Sequence, residues 1–197
     1  SDSSHKHHEE ALFRTIRAFI NEDRYDDALQ LIDRYDDAFP AGKYRESTAY
    51  YRGWLPYDSN RCTKGLPALR AYTKTFTKRR RHVRGFIAWC HIRKARWKSA
   101  IRGFAPLLRE KDSMHRGKAL YWQAYAHRKL GDEAKTSERL RSLEEDYPLS
   151  YYAFLGQQLR ATMENRSTQA SLVPWATSEE SEIALDARCW TWPKVSG

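Results

Sequence analysis

The sequence predicts an all-α protein, and more narrowly an α-solenoid of about four tandem helix pairs. Apolar residues recur at helical spacing through most of the 197 residues. The chain contains only nine glycines and seven prolines, which argues against a turn-rich all-β fold. The amphipathic stretches are short and follow one another in pairs, an arrangement typical of helical repeats.

The first three helices are indicated by apolar stripes that prolines interrupt. The first stripe covers residues 11–20, and the second covers 25–39, where Pro40 ends the helix because proline lacks a backbone N–H. A third stripe covers 46–54. Residues 56–60, which open with a proline, are predicted to form a loop.

Six further helices are predicted from the same periodicity, together with a short one near the C-terminus. Each stripe places its apolar residues on one helical face, so each helix needs a neighbour to bury that face. The predicted ranges are 66–76, 83–92, 97–108, 117–130, 133–145, 149–163 and 179–187.

A repeat is visible where the second helix of each pair begins. A small residue there allows two helices to cross closely, because a larger side chain would wedge them apart. Four alanines lie 40, 32 and 34 residues apart, so the pattern resembles tetratricopeptide repeats, whose period is about 34 residues. The alanines are Ala28, Ala68, Ala100 and Ala134, and the aromatic residues predicted to fill the groove of each first helix are Phe19, Tyr51, Trp89 and Tyr125.

Residues 118–159 carry a more specific resemblance. They combine a Tyr-Trp-rich helix, the turn Leu130-Gly-Asp-Glu-Ala and the motif Pro148-Leu-Ser-Tyr-Tyr-Ala-Phe-Leu. In this order the three motifs resemble the superhelical region of soluble lytic murein transglycosylases, although the turn is one residue shorter here. The resemblance implies a helical scaffold that associates with peptidoglycan in the periplasm or cell envelope.

The catalytic motif of that family is missing from this sequence. In the family a Glu-Ser pair opens a helix, a Gly-Leu-Met-Gln stretch follows, and the glutamate acts as acid and base. Here Glu180-Ser181 stands without that stretch, so we interpret it as a helix start. The sequence also has no phosphate-binding glycine loop, zinc-ligand spacing or Gly-x-Ser-x-Gly motif. We therefore expect no catalytic residue, cofactor or metal, with a fragment of a lytic transglycosylase as the alternative.

Charge is distributed unevenly along the chain. The formal net charge is +10, yet residues 59–109 contain fifteen lysines and arginines and no aspartate or glutamate. These like charges repel one another, and arginine binds phosphates and carboxylates through paired hydrogen bonds. The segment is therefore predicted to bind nucleic acid, an anionic cell-wall polymer, an anionic membrane surface or an acidic protein. A solvated charged face is the alternative. The candidate binding residues are Lys74, Lys78, Arg79, Arg80, Arg81, Arg84, Arg93, Lys94, Arg96, Lys98 and Arg102.

Aromatic residues interleave with these charges. Aromatic side chains in a basic groove stack on bases or sugars, but we favour the interpretation that these ones belong to the core of the repeats. They are Tyr72, Phe76, Phe86, Trp89 and Trp97.

The cysteines leave two alternatives open. Cys62, Cys90 and Cys189 lie 28 and 99 residues apart, which matches no zinc or redox motif. We favour three buried packing residues, and the alternative is one disulfide with one remaining thiol.

These observations predict a disordered N-terminus at 1–8, a repeat domain at 9–163 and a linker with a tail at 164–197. The leading hypothesis is a non-catalytic envelope scaffold that binds a protein partner or peptidoglycan. The alternative is a cytoplasmic adaptor whose basic middle binds nucleic acid or an acidic protein. The sequence contains neither a signal-peptide pattern nor an apolar stretch long enough to span a membrane.

Overall fold

The computed structural model describes residues 2–164, with side chains from 7 to 163. Within that range the chain forms nine α-helices and no β-strand, which confirms the predicted all-α class. Consecutive helices pack as pairs, as in an α-solenoid. The helices are α1 (Asp2–Asn21), α2 (Tyr25–Ala38), α3 (Arg45–Asp58), α4 (Cys62–Thr75), α5 (Arg80–Arg93), α6 (Trp97–Phe104), α7 (Lys118–Lys129), α8 (Glu133–Asp146) and α9 (Tyr151–Glu164).

The chain divides into two compact units between Arg80 and Arg81. Unit 1 contains α1 to α4, and unit 2 contains α6 to α9 and nearly all of α5. Over the described residues, none of the helices is long and apolar enough to cross a lipid bilayer. The predicted domain limits at residues 8 and 163 stay predictions, and the predicted linker, tail and helix at 179–187 lie outside the described residues.

Helices α3 and α4 of unit 1 cross so closely that glycine is required on both. A Cβ atom on Gly65 would lie 2.6 Å from the carbonyl oxygen of Gly53. A Cβ atom on Gly53 would in turn lie 2.6 Å from Cδ2 of the buried Leu69. The two missing side chains therefore set the distance between these helices.

A small buried residue recurs at one position of every second helix. The fourth residues of α2, α4, α6 and α8 lie 37, 35 and 36 residues apart, and all four are buried. They are Ala28, Gly65, Ala100 and Thr136. The predicted alignment is therefore right at Ala28 and Ala100, but wrong at Ala68, which is half-buried, and at Ala134, which is exposed. Glycine and threonine take the place of alanine at these two crossings.

A three-residue turn with one backbone conformation joins the two helices of each pair. Its middle residue has a positive φ angle of 58° at Asp23, 61° at Asn60, 50° at Ala95 and 76° at Gly131. Glycine adopts this left-handed conformation readily, and asparagine and aspartate tolerate it, but it costs alanine about 1–2 kcal/mol. The repeat is therefore regular in the backbone even where the residues differ.

The predicted aromatic positions are also only partly in register with the structural repeat. Trp89 and Tyr125 are buried as predicted, whereas Tyr51 is only half-buried. Among the buried aromatic residues of α3, Trp54 has the matching spacing, because it lies 35 residues before Trp89 and Trp89 lies 36 before Tyr125. Phe19 is also half-buried, and the guanidinium carbon of its neighbour in the turn, Arg24, lies 4.1 Å from its ring centroid.

Two tyrosines order the segment that follows each helix pair in unit 1. Tyr35 and Tyr72 are both the eleventh residue of their helix. The Tyr35 hydroxyl donates to Glu9 at 2.6 Å and accepts a backbone N–H nine residues later at 2.9 Å. The Tyr72 hydroxyl donates to Glu46 and accepts a backbone N–H seven residues later. Burial and the Glu46 carboxylate raise the pKa of Tyr72 to about 12, so its hydroxyl remains a donor.

Helix α7 is the most deeply buried helix of unit 2, and every residue from 118 to 127 is buried. Its Trp122 meets Trp89 of α5 edge to face, with ring centroids 4.5 Å apart. Gly103 brings α6 against α5, because a Cβ atom there would lie 2.9 Å from Cβ of Ala88. The core of unit 2 is thus built around α7.

Prolines shift three predicted helix limits. Helix α3 continues through Pro56 to its end, so the predicted loop at 56–60 is wrong for its first three residues. Helix α4 starts four residues earlier than predicted and contains Pro67. Helix α6 stops at Phe104, and a 3-10 turn follows because Pro106 cannot donate an α-helical hydrogen bond.

The cysteines depart from the favoured prediction. Cys62 and Cys90 are buried, as expected of packing residues, but both are disulfide-bonded. Cys189 lies outside the described residues. The alternative that includes a disulfide is therefore the one that agrees with the structure.

Candidate functional site

The candidate binding residues of unit 1 divide into structural and exposed ones. Nη1 of Arg79 lies 2.8 Å from both carboxylate oxygens of Glu46, and the pair is largely shielded from solvent. Nε of Arg80 donates to the carbonyl four residues before it at 3.1 Å. Lys74 and Lys78 are exposed. Arg79 therefore belongs to the fold, while the two lysines face solvent.

Arg81 is the first candidate binding residue of unit 2, and it lies beside an open cleft. Its Nη1 is 2.9 Å from the Glu110 carboxylate, and Arg81 is itself exposed. The cleft has a volume of about 540 Å³, and its other lining residues are Arg109, Lys111 and Asp112. Because both signs of charge line it and its mouth is wide, the cleft favours no single class of ligand.

Four exposed cations lie together in sequence on α6 and the turn before it. They are Lys94, Arg96, Lys98 and Arg102, and we call them the α6 cationic surface. Lys98 and Arg102 are four residues apart, which places their Cβ atoms about 6 Å apart on one side of the helix. Within the described part of the chain, none of the four side chains takes part in an ion pair. Arg102 donates to the Ser99 hydroxyl at 3.3 Å.

The two remaining candidates lie on α5. Arg84 is exposed, and Arg93 is half-buried with contacts inside the fold. These two add to the positive potential of unit 2 but do not share the α6 turn.

The turns of the other helix pairs show what is unusual about this surface. Arginine occupies the N-cap position of α2, α4 and α6, as Arg24, Arg61 and Arg96. Arg24 lies 2.8 Å from the Asp27 carboxylate, and Arg61 lies 2.7 Å from the Asp26 carboxylate. Between residues 7 and 163, no carboxylate forms an ion pair with Arg96. The N-cap arginine is thus neutralised by a carboxylate in α2 and in α4, but its charge is not neutralised by the described residues in α6.

Helix electrostatics sharpen this contrast. The first turn of α2 carries two aspartates, and the first turn of α6 carries Lys98 and no acidic residue. A positive charge at a helix N-terminus costs about 0.3–1 kcal/mol because the helix dipole is positive there. Lys98 is therefore unfavourably placed, whereas Arg102 lies in the last turn of α6, where the helix dipole favours a cation.

The interleaved aromatic residues belong to the core. Tyr72, Phe86 and Trp89 are almost completely buried, and Phe76 is half-buried. Trp97 is half-buried, with its ring 5.9 Å from that of Tyr125 in a T-shaped contact. These rings do not form an exposed stacking platform, so recognition at the α6 cationic surface would rest on charge.

Two buried titratable residues of α7 carry no sequence signal. Lys118 is 2% exposed, and its Nζ lies 5.4 Å from the ring centroid of Tyr152. His127 is 7% exposed, and burial lowers the pKa of its imidazole. The Asp132 carboxylate, whose Oδ2 lies 3.3 Å from Nδ1 of His127, opposes this shift only in part. Neither residue belongs to a motif, so sequence reasoning missed both.

No group of three or more metal-ligating side chains occurs among the described residues.

Comparison with known families supports the repeat assignment. A tetratricopeptide repeat family model matches residues 118–150, which hold α7 and α8. This is the pair whose sequence repeat is clearest. No curated protein and no solved structure matches the chain. The chain therefore carries tetratricopeptide-like helical repeats, which indicate a scaffold for protein interaction.

Proposed function

We propose that this chain is a non-catalytic helical-repeat scaffold that binds an acidic segment of a partner protein at the α6 cationic surface. One observation carries the proposal: no carboxylate of the described residues pairs with Arg96, while Arg24 and Arg61 at the equivalent position each have a carboxylate partner. Together with Lys94, Lys98 and Arg102, Arg96 forms a positive surface whose charge is not balanced by any ion pair in the described part of the chain. An acidic peptide would supply the missing carboxylates.

An acidic protein segment suits this surface better than nucleic acid. Tetratricopeptide-like repeats typically present surfaces to proteins. Nucleic-acid grooves combine cations with exposed aromatic rings, whereas the rings near α6 are buried or half-buried. Nucleic acid is retained as an outcome of the test below.

A location in the cell envelope is part of the same proposal. The resemblance of residues 118–159 to the lytic transglycosylase superhelix supports an association with peptidoglycan. The disulfide-bonded Cys62 and Cys90 support an oxidising compartment such as the periplasm, because cytoplasmic thiols are kept reduced. An anionic cell-wall polymer would meet the same cations as an acidic peptide.

The test is fluorescence anisotropy of the full chain with a labelled oligoglutamate peptide, at low and at physiological salt. Replacing Lys98 and Arg102 by alanine removes two exposed charge contacts of roughly 0.5–1 kcal/mol each, so we expect affinity to fall about 5- to 30-fold. The matched control replaces Lys74 and Lys78 in unit 1 by alanine and should retain the wild-type affinity. An equal loss in both variants would mean that net charge alone drives binding.

A third variant separates lost binding from misfolding. Ser99 occupies the position that Asp27 holds in α2, so Ser99→Asp supplies Arg96 with the missing carboxylate. We expect this variant to weaken peptide binding while it raises the thermal midpoint of the chain. Tighter binding of single-stranded DNA than of the peptide at physiological salt would overturn the protein-partner proposal. Release of soluble sugar products from purified peptidoglycan sacculi would contradict the non-catalytic assignment.

A further inference from the structure

Among the intra-pair turns of the described residues, only the turn between α5 and α6 has an alanine in the left-handed position. The other turns carry Asp23, Asn60 and Gly131 there, and these residue types adopt a positive φ angle more readily than alanine does. Ala95 is exposed, so its methyl group does not fill a place in the core. Packing therefore gives no reason for an alanine at this strained position.

The hydrogen bonds of this turn form a Schellman motif, which ends many helices and usually has glycine at its left-handed position. The N–H of Arg96 donates to the carbonyl of His91 at 2.9 Å, and the N–H of Ala95 donates to the carbonyl of Ile92 at 2.9 Å. The same pair of bonds closes the turn that contains Gly131. Glycine at residue 95 would therefore keep every backbone hydrogen bond of the turn and relieve its strain.

The strained residue lies within the α6 cationic surface. Lys94 precedes it and Arg96 follows it, so the backbone conformation of Ala95 fixes how these two cations are placed relative to each other. Both cations are exposed, and in the described part of the chain neither takes part in an ion pair. Strained backbone conformations cluster at ligand-binding sites, where they accompany a preorganised geometry. The strain thus coincides with the surface that we propose for binding.

We infer that Ala95 is a positioning residue for the binding of an acidic partner segment, an inference that rests on the proposed function. A Cβ atom confines a left-handed residue to a small region of φ and ψ, whereas glycine has a much wider region. Alanine therefore holds Lys94 and Arg96 in one relative placement before the partner arrives, so less conformational entropy is lost on binding. The turn is less stable than a glycine turn would be, and its two cations are better ordered.

Two substitutions at this residue separate positioning from stability, and neither changes the charge of the surface. Ala95→Gly removes the Cβ atom, so we expect the thermal midpoint to rise while the affinity for a labelled oligoglutamate peptide falls about 2- to 5-fold. Ala95→Asn keeps a Cβ atom in a residue type that tolerates the left-handed conformation, so the thermal midpoint should rise and the affinity should stay at the wild-type value. Circular dichroism and fluorescence anisotropy of the full chain measure the two quantities.

The matched control is Asn60→Gly, which removes a Cβ atom at the equivalent turn position of unit 1 and should leave the peptide affinity unchanged. An unchanged affinity of Ala95→Gly would overturn the inference. Equal losses of affinity in Ala95→Gly and Ala95→Asn would do the same, because the Cβ atom would then play no part. So would a lower thermal midpoint of Ala95→Gly, because residue 95 would then not be left-handed. The proposed function fails on a different result, which is wild-type affinity after Lys98 and Arg102 are replaced by alanine.

Discussion

The left-handed residue in each intra-pair turn predicts opposite effects for two simple substitutions. Ala95 and Gly131 occupy the same place in two turns of unit 2, with φ angles of 50° and 76°. Their N–H groups make the same bond, to the carbonyl three residues earlier, at 2.9 Å in both turns. Ala95 is exposed, and a Cβ atom on Gly131 would meet no atom within 4 Å. Only the backbone conformation therefore distinguishes alanine from glycine at these sites.

The magnitude follows from two opposing terms. The left-handed conformation costs alanine about 1–2 kcal/mol in the folded state. Glycine loses more conformational entropy on folding, which offsets about 0.5–1 kcal/mol of that difference. We therefore expect Ala95→Gly to stabilise unit 2 by about 0.5–1 kcal/mol and Gly131→Ala to destabilise it by a similar amount. In a chain of this length that is a shift of about 1–4 °C in the thermal midpoint.

Urea and thermal unfolding followed by circular dichroism measure both effects. The control is Ala134→Gly, because Ala134 is exposed within the helical backbone of α8, where glycine costs up to about 1 kcal/mol. All three sites lie in unit 2, so one unfolding transition reports on them. If Ala95→Gly destabilises the chain as Ala134→Gly does, residue 95 does not adopt the left-handed conformation and the shared turn is refuted.

Two further predictions follow from buried groups. Gly65→Ala places a methyl group 2.6 Å from the backbone carbonyl of Gly53, and we expect a loss of about 1–3 kcal/mol in urea unfolding. A loss below about 0.5 kcal/mol would show that α3 and α4 separate easily. Burial lowers the pKa of His127, so its contribution to stability is complete above the unfolded value near 6.5 and declines as the pH falls below it. His127→Gln should therefore lose less stability than the wild type between pH 7 and pH 5, and parallel losses would contradict this.

The helices could be predicted from the sequence because apolar periodicity reports directly on burial. The register of the repeat could not be predicted, because the residue type differs from pair to pair at both marker positions, the close helix crossing and the left-handed turn. The close crossing is made by alanine at position 28, glycine at 65 and threonine at 136, so an alignment on alanine shifts to Ala68 and Ala134. The left-handed turn residue is glycine only at position 131. Several residue types meet the requirement for a small side chain at the crossing, and several adopt a positive φ in the turn. No single residue type therefore marks either position in the sequence.

The sequence indicates which segment carries the unusual charge, but it does not indicate which of its cations are exposed and unpaired in the fold. The absence of acidic residues from 59 to 109 marks this region as unusual in charge. Linear counting treats its cations as equivalent, although Arg79 is bound to Glu46 and Arg81 to Glu110. The acidic partner of Arg79 lies before residue 59 and that of Arg81 lies after residue 109, so only the folded chain shows which charges are balanced.

Equivalent positions in the repeat explain how the positive surface arises. Glu46 is the second residue of α3, and the second residue of α5 is Arg81. In the same way the second residue of α2 is Asp26, and the second residue of α6 is Lys98. At both positions a cation stands where another repeat carries the acid of an internal ion pair. The fold tolerates the exchange because both positions lie on helix surfaces. Arg81 finds a new partner in Glu110, whereas no carboxylate of the described residues pairs with Lys98.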